Sequence, residues 1–176
     1  STLIKVLGGI YKRDGGEIVI NGEKVDINGV KDAEKYGISI IHQEIVLVPE
    51  MSIADNIYLG KELGPSGRID RATMRKTTQE LLDSFDMGLS ATDKISSLNI
   101  AQQQMIEIIR ATFSKAKIIV MDEPTSSLSD KEVDALFDTI RKLTAQGIGI
   151  IYISHRMEEI FEICETATVM RDGRII

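Results

Sequence analysis

Two adjacent carboxylates, Asp122 and Glu123, follow directly on the apolar run Ile118-Ile119-Val120-Met121 and precede Pro124-Thr125. Carboxylates leaving a buried strand side by side repel each other unless a cation lies beside them, and a hydrated Mg²⁺ carrying phosphate ligands meets that need. On this reading Asp122 holds the magnesium through water, and Glu123 orients or deprotonates an attacking water. A pair of solvated loop carboxylates is the plainer alternative, and the buried run ahead of them argues against it. Two other apolar runs end in the same way: Ile38-Ser39-Ile40-Ile41 leads through His42 to Gln43, and Ile148-Gly149-Ile150-Ile151-Tyr152-Ile153 leads to Ser154-His155. Ligands bind beyond the carboxyl ends of parallel strands, so Gln43, Asp122, Glu123 and His155 are predicted to meet on one rim.

The elements that must position these residues are legible from periodicity. Leu3, Val6, Leu7 and Ile10 fall at helical spacing, with Gly8-Gly9 weakening the end of that helix. Between Gly16 and Ile27 the pattern alternates around Asn21-Gly22, the signal of a β-hairpin. A short helix from Val30 to Tyr36 and the strand Ile38–Ile41 follow, and we expect this first part to be small and antiparallel in character. From Pro49 to Ser97 no β pattern is found. Helical spacing runs over 52–59 and 70–85, the second opened by Asp70 as N-cap, with Gly60, Gly64, Pro65 and Gly67 between them. Ala101 to Ser114 is predicted helical, with Met105, Ile108 and Ile109 on one face. Ser129-Asp130-Lys131-Glu132 has the form of a capping box. It opens a helix whose apolar face is Val133, Leu136, Phe137, Ile140 and Leu143, and Gly147 closes it. Ile148–Ile153 is expected to be buried on both faces. Apolar strands separated by an amphipathic helix predict a parallel sheet covered by helices.

Composition narrows the function classes. The 176 residues carry 21 Lys and Arg against 27 Asp and Glu, a formal charge of −6. A nucleic-acid binder needs a cationic face to displace counterions, so no nucleic-acid partner is expected. No run approaches the roughly 18 apolar residues of a membrane span. The one cysteine, Cys164, lies among apolar residues and is expected to be a small buried hydrophobe. His42 is read as structural, and the methionines, Met105 and Met121 among them, as core filling.

With these residues in place, a resemblance emerges. Val120-Met121-Asp122-Glu123-Pro124-Thr125 resembles the Walker B segment of ABC-type ATPases, and other motifs of that family occur in its order. Gln43 resembles the Q-loop glutamine. Leu98-Asn99-Ile100-Ala101-Gln102 resembles the signature usually written Leu-Ser-Gly-Gly-Gln, and Ser126-Ser127-Leu128-Ser129 stands where the D-loop belongs. His155 resembles the switch histidine. Ser1-Thr2-Leu3 is similar to the end of a P-loop and the helix after it, so the glycines and lysine of that loop are expected upstream of Ser1. More narrowly, Gln102-Gln103-Gln104-Met105, the stretch Ile53 to Gly60 and Ser154-His155-Arg156-Met157-Glu158-Glu159 are similar to the first ATPase half of bacterial monosaccharide importers of the ribose, galactose and xylose type.

The resemblance implies an α/β P-loop NTPase fold with a parallel core sheet, a short antiparallel β segment, a helical insertion and a truncated Walker A loop. Its parts would be residues 1–48, 49–115 and 116–176. It implies ATP as substrate and Mg²⁺ as cofactor. Ser1, Thr2, Gln43 and Asp122 would bind nucleotide, Ser1, Gln43 and Asp122 would hold the metal, and Glu123 and His155 would be catalytic. Leu98, Asn99, Ile100, Ala101 and Gln102 would face the nucleotide of an opposing ATPase half, and Ser127, Leu128 and Ser129 would form the D-loop. Asn99, Ile100, Ala101 and Ser129 depart from the usual residues, and Ile100 opposes a close backbone approach. The implied partners are a membrane permease, a second ATPase half and, indirectly, a periplasmic sugar-binding protein. The implied place is cytoplasmic, peripheral at the inner face of the membrane. The segment without its upstream loop is expected to hydrolyse ATP poorly. Two other readings stay open: a non-transport ABC ATPase, and a degenerate regulatory nucleotide-binding half.

Overall fold

The structure is a computed structural model that describes residues 2–65 and 68–176. Ser1 and Gly67, singled out above, lie outside the described residues. Helix α1 (Thr2–Leu7) stops at Gly8-Gly9. Gly9 has φ +71°, and a Cβ there would collide with the backbone of Gly29, so this chain reversal admits only glycine. Strands β1 (Ile18–Ile20) and β2 (Glu23–Val25) pair antiparallel, with Ile18 opposite Val25. The turn between them has φ 53° at Asn21 and 83° at Gly22, the double left-handed turn that matches strand twist.

Helix α2 (Val30–Lys35) leads into β3 (Ile38–Ile41). The expectation of a short antiparallel segment holds for the hairpin but not for β3. β3 does not join the hairpin; it pairs parallel with β4 (Ile118–Asp122), with Ile41 opposite Met121. Its partner lies far downstream, beyond the reach of any local pattern. The sheet order is β3-β4-β5, where β5 (Gly149–Ile153) pairs parallel with β4 through the helix α6 (Asp130–Ala145). Ile119, Val120 and Met121 of the central strand are fully buried. A second correction concerns β5. It is an edge strand among the described residues, and Ile151 is 41% exposed, so the strand is not buried on both faces.

The stretch between β3 and β4 is helical, as periodicity predicts. Ser52 Oγ accepts from Asp55 N at 3.1 Å to cap α3 (Ile53–Ile57), and Asp70 Oδ1 accepts from Thr73 N at 3.0 Å to cap α4 (Arg71–Ser84). A 3₁₀ turn at Ile95–Ser97 precedes α5 (Ile100–Phe113). Asn56 is completely buried and ties α3 to the segment leaving β3: its Oδ1 accepts from Val48 N at 2.8 Å, and its Nδ2 donates to Val48 O at 3.1 Å. Beyond β5 come α7 (Met157–Ile163) and a hairpin of β6 (Met170–Arg171) and β7 (Arg174–Ile175), which periodicity did not predict. Cys164, expected to be buried, is half-exposed at the end of α7.

Three apolar clusters hold the fold. The predicted face of α6 packs with Ile41, Ile119 and Met121 on one side of the sheet. Ile4, Val25, Ile27, Ala33, Ile38 and Val120 form the second cluster, which joins the hairpin and the first two helices to the sheet. The helical stretch has a third, built on Ile53, Ile57, Met74, Leu82, Ile95, Ile106 and Ile109. Helix α5 serves both sides, giving Ile108 and Ala111 to the first cluster and Ile106 and Ile109 to the third. That placement makes α5 the mechanical link between sheet and helical stretch.

Candidate functional site

Because β3, β4 and β5 run parallel, their carboxyl ends share one edge. Ile41 opposes Met121, so Gln43 and Glu123, each two residues on, leave the sheet at the same level; Asp122 opposes Ile153, placing His155 just beyond. The contacts agree with that register. Glu123 N donates to Ile153 O at 2.9 Å, extending the ladder by one bond past β4, and His155 Nδ1 lies 3.2 Å from Glu123 Oε1. Glu123 holds φ 49°, a left-handed conformation that costs a non-glycine residue of order 1 kcal/mol or more. Strain of this kind is kept where surrounding structure enforces it.

An imidazole that donates from Nδ1 to Glu123 leaves Nε2 for a second partner. The His155 side chain is 74% exposed and that of Glu123 33%, so the pair is open to a ligand from above the rim. Asp122 is half-buried and joins no ion pair among the described residues. Gln43 is exposed in the bend after β3, and Thr2 is exposed at the start of α1. No cluster of three or more His, Cys, Asp or Glu that could hold a metal alone exists among the described residues. One or two carboxylates fit magnesium, which keeps several waters and takes its remaining ligands from substrate phosphates.

The other predicted residues act locally. Asn99 Oδ1 accepts from Gln102 N at 2.8 Å, and Gln102 Oε1 accepts from Asn99 N at 3.0 Å, a reciprocal cap on α5. Leu98 is buried in the helical cluster, whereas Ile100 is 52% exposed, and Ala101 is half-buried. The Asn99 cap predicts that Asn99→Ala lowers stability by about 0.5–2 kcal/mol, read from amide exchange in the first turn of α5. Unchanged protection there would show the cap to be idle. Beyond Glu123 the chain turns tightly, with Ser126 N donating to Glu123 O at 3.3 Å and Leu128 N to Thr125 O at 3.1 Å. Ser127 is exposed, Leu128 packs on the sheet cluster, and Ser129 opens α6 with its N donating to Glu132 Oε2 at 2.8 Å. The signature and D-loop residues make no hydrogen bond to the rim side chains among the described residues.

Two polar groups were not anticipated. Glu107 of α5 is 5% exposed, pairs with Arg110 at 2.9 Å and leaves Oε1 without a partner among the described residues. Burial pushes its carboxyl above the ordinary range, against the pull of the Arg110 charge. The stability held by its protonated form is therefore present below the ordinary carboxylate range and lost as pH rises through that raised value. Arg110 Nη1 donates to Val46 O at 3.2 Å, tying α5 to the segment after Gln43. The second group is Glu159 of α7, 4% exposed, which binds Thr125, Tyr152 and Ser154. Burial pushes this carboxyl up, but hydrogen bonds from Thr125, Ser154 and Tyr152 and the Arg156 charge outweigh it, and the net shift is down. Its stabilising contribution is thus present above the ordinary carboxylate range and lost as pH falls through the lowered value. The only signal in sequence is a Glu four residues after His155, one helical turn on.

Away from the rim, a cavity of about 370 Å³ lies between the end of α1, β3 and the helical stretch. Ile40, His42, Ile57, Leu59, Lys61 and Arg110 line it, so His42, read as structural, is exposed beside a cleft.

A family profile described as ABC transporter matches residues 1–126. The whole chain is 46% identical to the galactose/methyl galactoside import ATP-binding protein of Yersinia pestis and 44% identical to the ribose import ATP-binding protein of Bacillus cereus. Over 98% of the chain it is 52% identical to a galactose/methyl galactoside import ATP-binding protein of Photobacterium profundum. The chain spans only 35–36% of the length of these relatives. In fold it resembles a nucleotide-free ATP-binding cassette from an ABC transporter, with a TM-score of 0.85 at 24% identity over 99% of this chain and 73% of that one. Matched by the ABC transporter profile over more than half its length and sharing the parallel-sheet fold of an ATP-binding cassette, the chain belongs to the ABC transporter family.

Proposed function

We propose that this chain is part of an ATP-hydrolysing subunit that powers import of a simple sugar through a membrane permease. The observation that carries the reading is the Glu123–His155 pair, 3.2 Å apart at the carboxyl edge of a parallel sheet, beside Asp122. Glu123 accepts a proton from the water that attacks the γ-phosphorus of ATP in line with the leaving β–γ bridging oxygen. His155 holds its imidazole against Glu123 and offers Nε2 to the γ-phosphate, where negative charge gathers in the transition state. Ser1, Gln43 and Asp122 are the residues that would hold Mg²⁺, and Thr2 would lie beside the phosphates. Magnesium, when bound, neutralises charge on the transferring phosphoryl group.

Gln43 stands between the sheet and the helical stretch, and α5 is anchored to the same segment through Arg110 and Val46. Contact between Gln43 and the γ-phosphate would therefore move the helical stretch, and with it residues 98–102, toward a second ATPase half. The cavity, whose wall combines Ile57 and Leu59 with Lys61 and Arg110, suits a permease segment, consistent with a place at the cytoplasmic face of the membrane. No helix among the described residues is long and apolar enough to cross a membrane, so attachment would be through that partner. A sugar-binding protein on the other side would select the cargo.

The test is reconstitution of the full-length protein with its permease in vesicles. ATP-dependent uptake of ribose, galactose or xylose is the expected result. ATP hydrolysis indifferent to the permease and to every sugar would overturn the transport reading and favour a non-transport member of the family.

A further inference from the structure

Among the described residues the His155 side chain makes one polar contact, with Glu123, and it is 74% exposed, so it has little to hold it. Its place depends on the backbone around it. Both neighbours are tied to one buried carboxylate: Ser154 Oγ donates to Glu159 Oε2 at 2.8 Å, and Arg156 Nη1 lies 2.8 Å from Glu159 Oε1. The same carboxylate accepts from Tyr152 OH at 2.9 Å and from Thr125 Oγ1 at 2.8 Å. Each oxygen thus serves two donors, which fills the usual acceptor capacity of a carboxylate. Arg156 N also donates to Ser154 Oγ at 3.0 Å, closing the turn that carries His155. Thr125 belongs to the turn that begins at Glu123, so Glu159 joins both turns of the rim from beneath.

We propose that Glu159 is a positioning residue for His155, fixing the imidazole against Glu123 by clamping Ser154, Arg156 and Thr125 to one point. The proposal rests on the reading that Glu123 and His155 act on the γ-phosphate. A carboxylate with four short bonds to two separate turns sets their spacing more tightly than the exposed 3.2 Å pair can by itself. Loss of the clamp should leave nucleotide affinity intact, since Glu159 lies below the rim, and should lower the rate of the chemical step.

The test uses the full-length protein with its permease, measuring kcat and KM for ATP in Glu159→Ala, Glu159→Gln, His155→Ala and the double variant. Glu159→Ala is expected to lower kcat by about tenfold or more with KM within about twofold. Glu159→Gln, which keeps an acceptor for the hydroxyls, should recover part of that loss. Adding Glu159→Ala to His155→Ala should cost much less than it costs alone, because the clamp acts chiefly by setting the imidazole against Glu123. Wild-type kcat in Glu159→Ala, or losses that multiply in the double variant, would overturn the proposal and leave Glu159 a structural staple. If Glu159→Ala does not fold, Tyr152→Phe with Ser154→Ala removes two of the four donors. A fall in kcat of about threefold at constant KM supports the clamp, and no fall overturns it. The two readings fail separately. Unchanged kcat in His155→Ala removes the catalytic reading and the proposal with it, whereas a low kcat in His155→Ala beside normal turnover in Glu159→Ala removes the proposal alone.

Discussion

Glu123→Gln in the full-length protein is expected to lower ATP turnover by about 10²–10⁴-fold while ATP still binds. The amide is nearly isosteric with the carboxylate and can keep a hydrogen bond to His155, so the left-handed backbone at Glu123 and its bond to Ile153 O need not change. What it loses is the ability to take a proton from water. Without that base, the attacking water must lose its proton to bulk solvent, and phosphoryl transfer slows although every positioning contact remains. Binding is read by equilibrium titration with labelled ATP, and turnover by phosphate release under saturating ATP. Wild-type turnover removes Glu123 from the role of base. Loss of both turnover and binding assigns it instead to holding the nucleotide.

The second large effect concerns the platform beneath the rim. Phe137 of α6 is 1% exposed, packs in the sheet cluster and meets Tyr152 edge to face, with ring centroids 6.1 Å apart at 76°. Phe137→Ala removes the ring and leaves a cavity that the sheet above and α6 below cannot both close. The expected cost is about 3–5 kcal/mol, a large share of the roughly 5–15 kcal/mol that stabilises a typical domain. Amide exchange of β4 and β5 in the intact protein measures it, as a loss of protection confined to the sheet and α6. A change below about 1 kcal/mol would mean that the cluster repacks around the gap. Tyr152 links this effect to the site, because the residue touched by Phe137 also donates to Glu159. A loosened α6 should therefore disturb the rim as well as the core.

Which parts of this arrangement were legible in sequence follows from the range over which each is determined. The Asn21-Gly22 turn, the Asp70 and Ser129 caps and the apolar face of α6 are set within a few residues, and each stands where periodicity and capping chemistry put it. The level of Gln43, Asp122 and His155 was also readable, because strand polarity fixes which ends meet once the strands are known to be parallel. The pairing of β3 was not. A strand that follows a hairpin looks like its continuation, and only β4, almost a half-chain away, shows otherwise. β5 misled in the opposite way: an unbroken apolar run suggests burial on both faces, yet a strand at a sheet edge has the same composition. Glu159 and Glu107 were missed because burial of a carboxylate depends on donors brought from other elements, here Thr125 and Tyr152 for one and Arg110 for the other. A charged residue in a short amphipathic helix carries no local mark of such a role.

We propose that one sheet edge gathers an amide, two carboxylates and an imidazole around the terminal phosphate of a magnesium-bound nucleotide. A crystal structure of the full-length protein with Mg²⁺ and a non-hydrolysable ATP analogue tests it most directly. The γ-phosphate is expected within hydrogen-bond distance of His155, with Gln43 and Asp122 on the metal or its waters and Glu123 beside the attacking position. A nucleotide seated away from the ends of β3, β4 and β5, or phosphates touched by none of these four side chains, would contradict it.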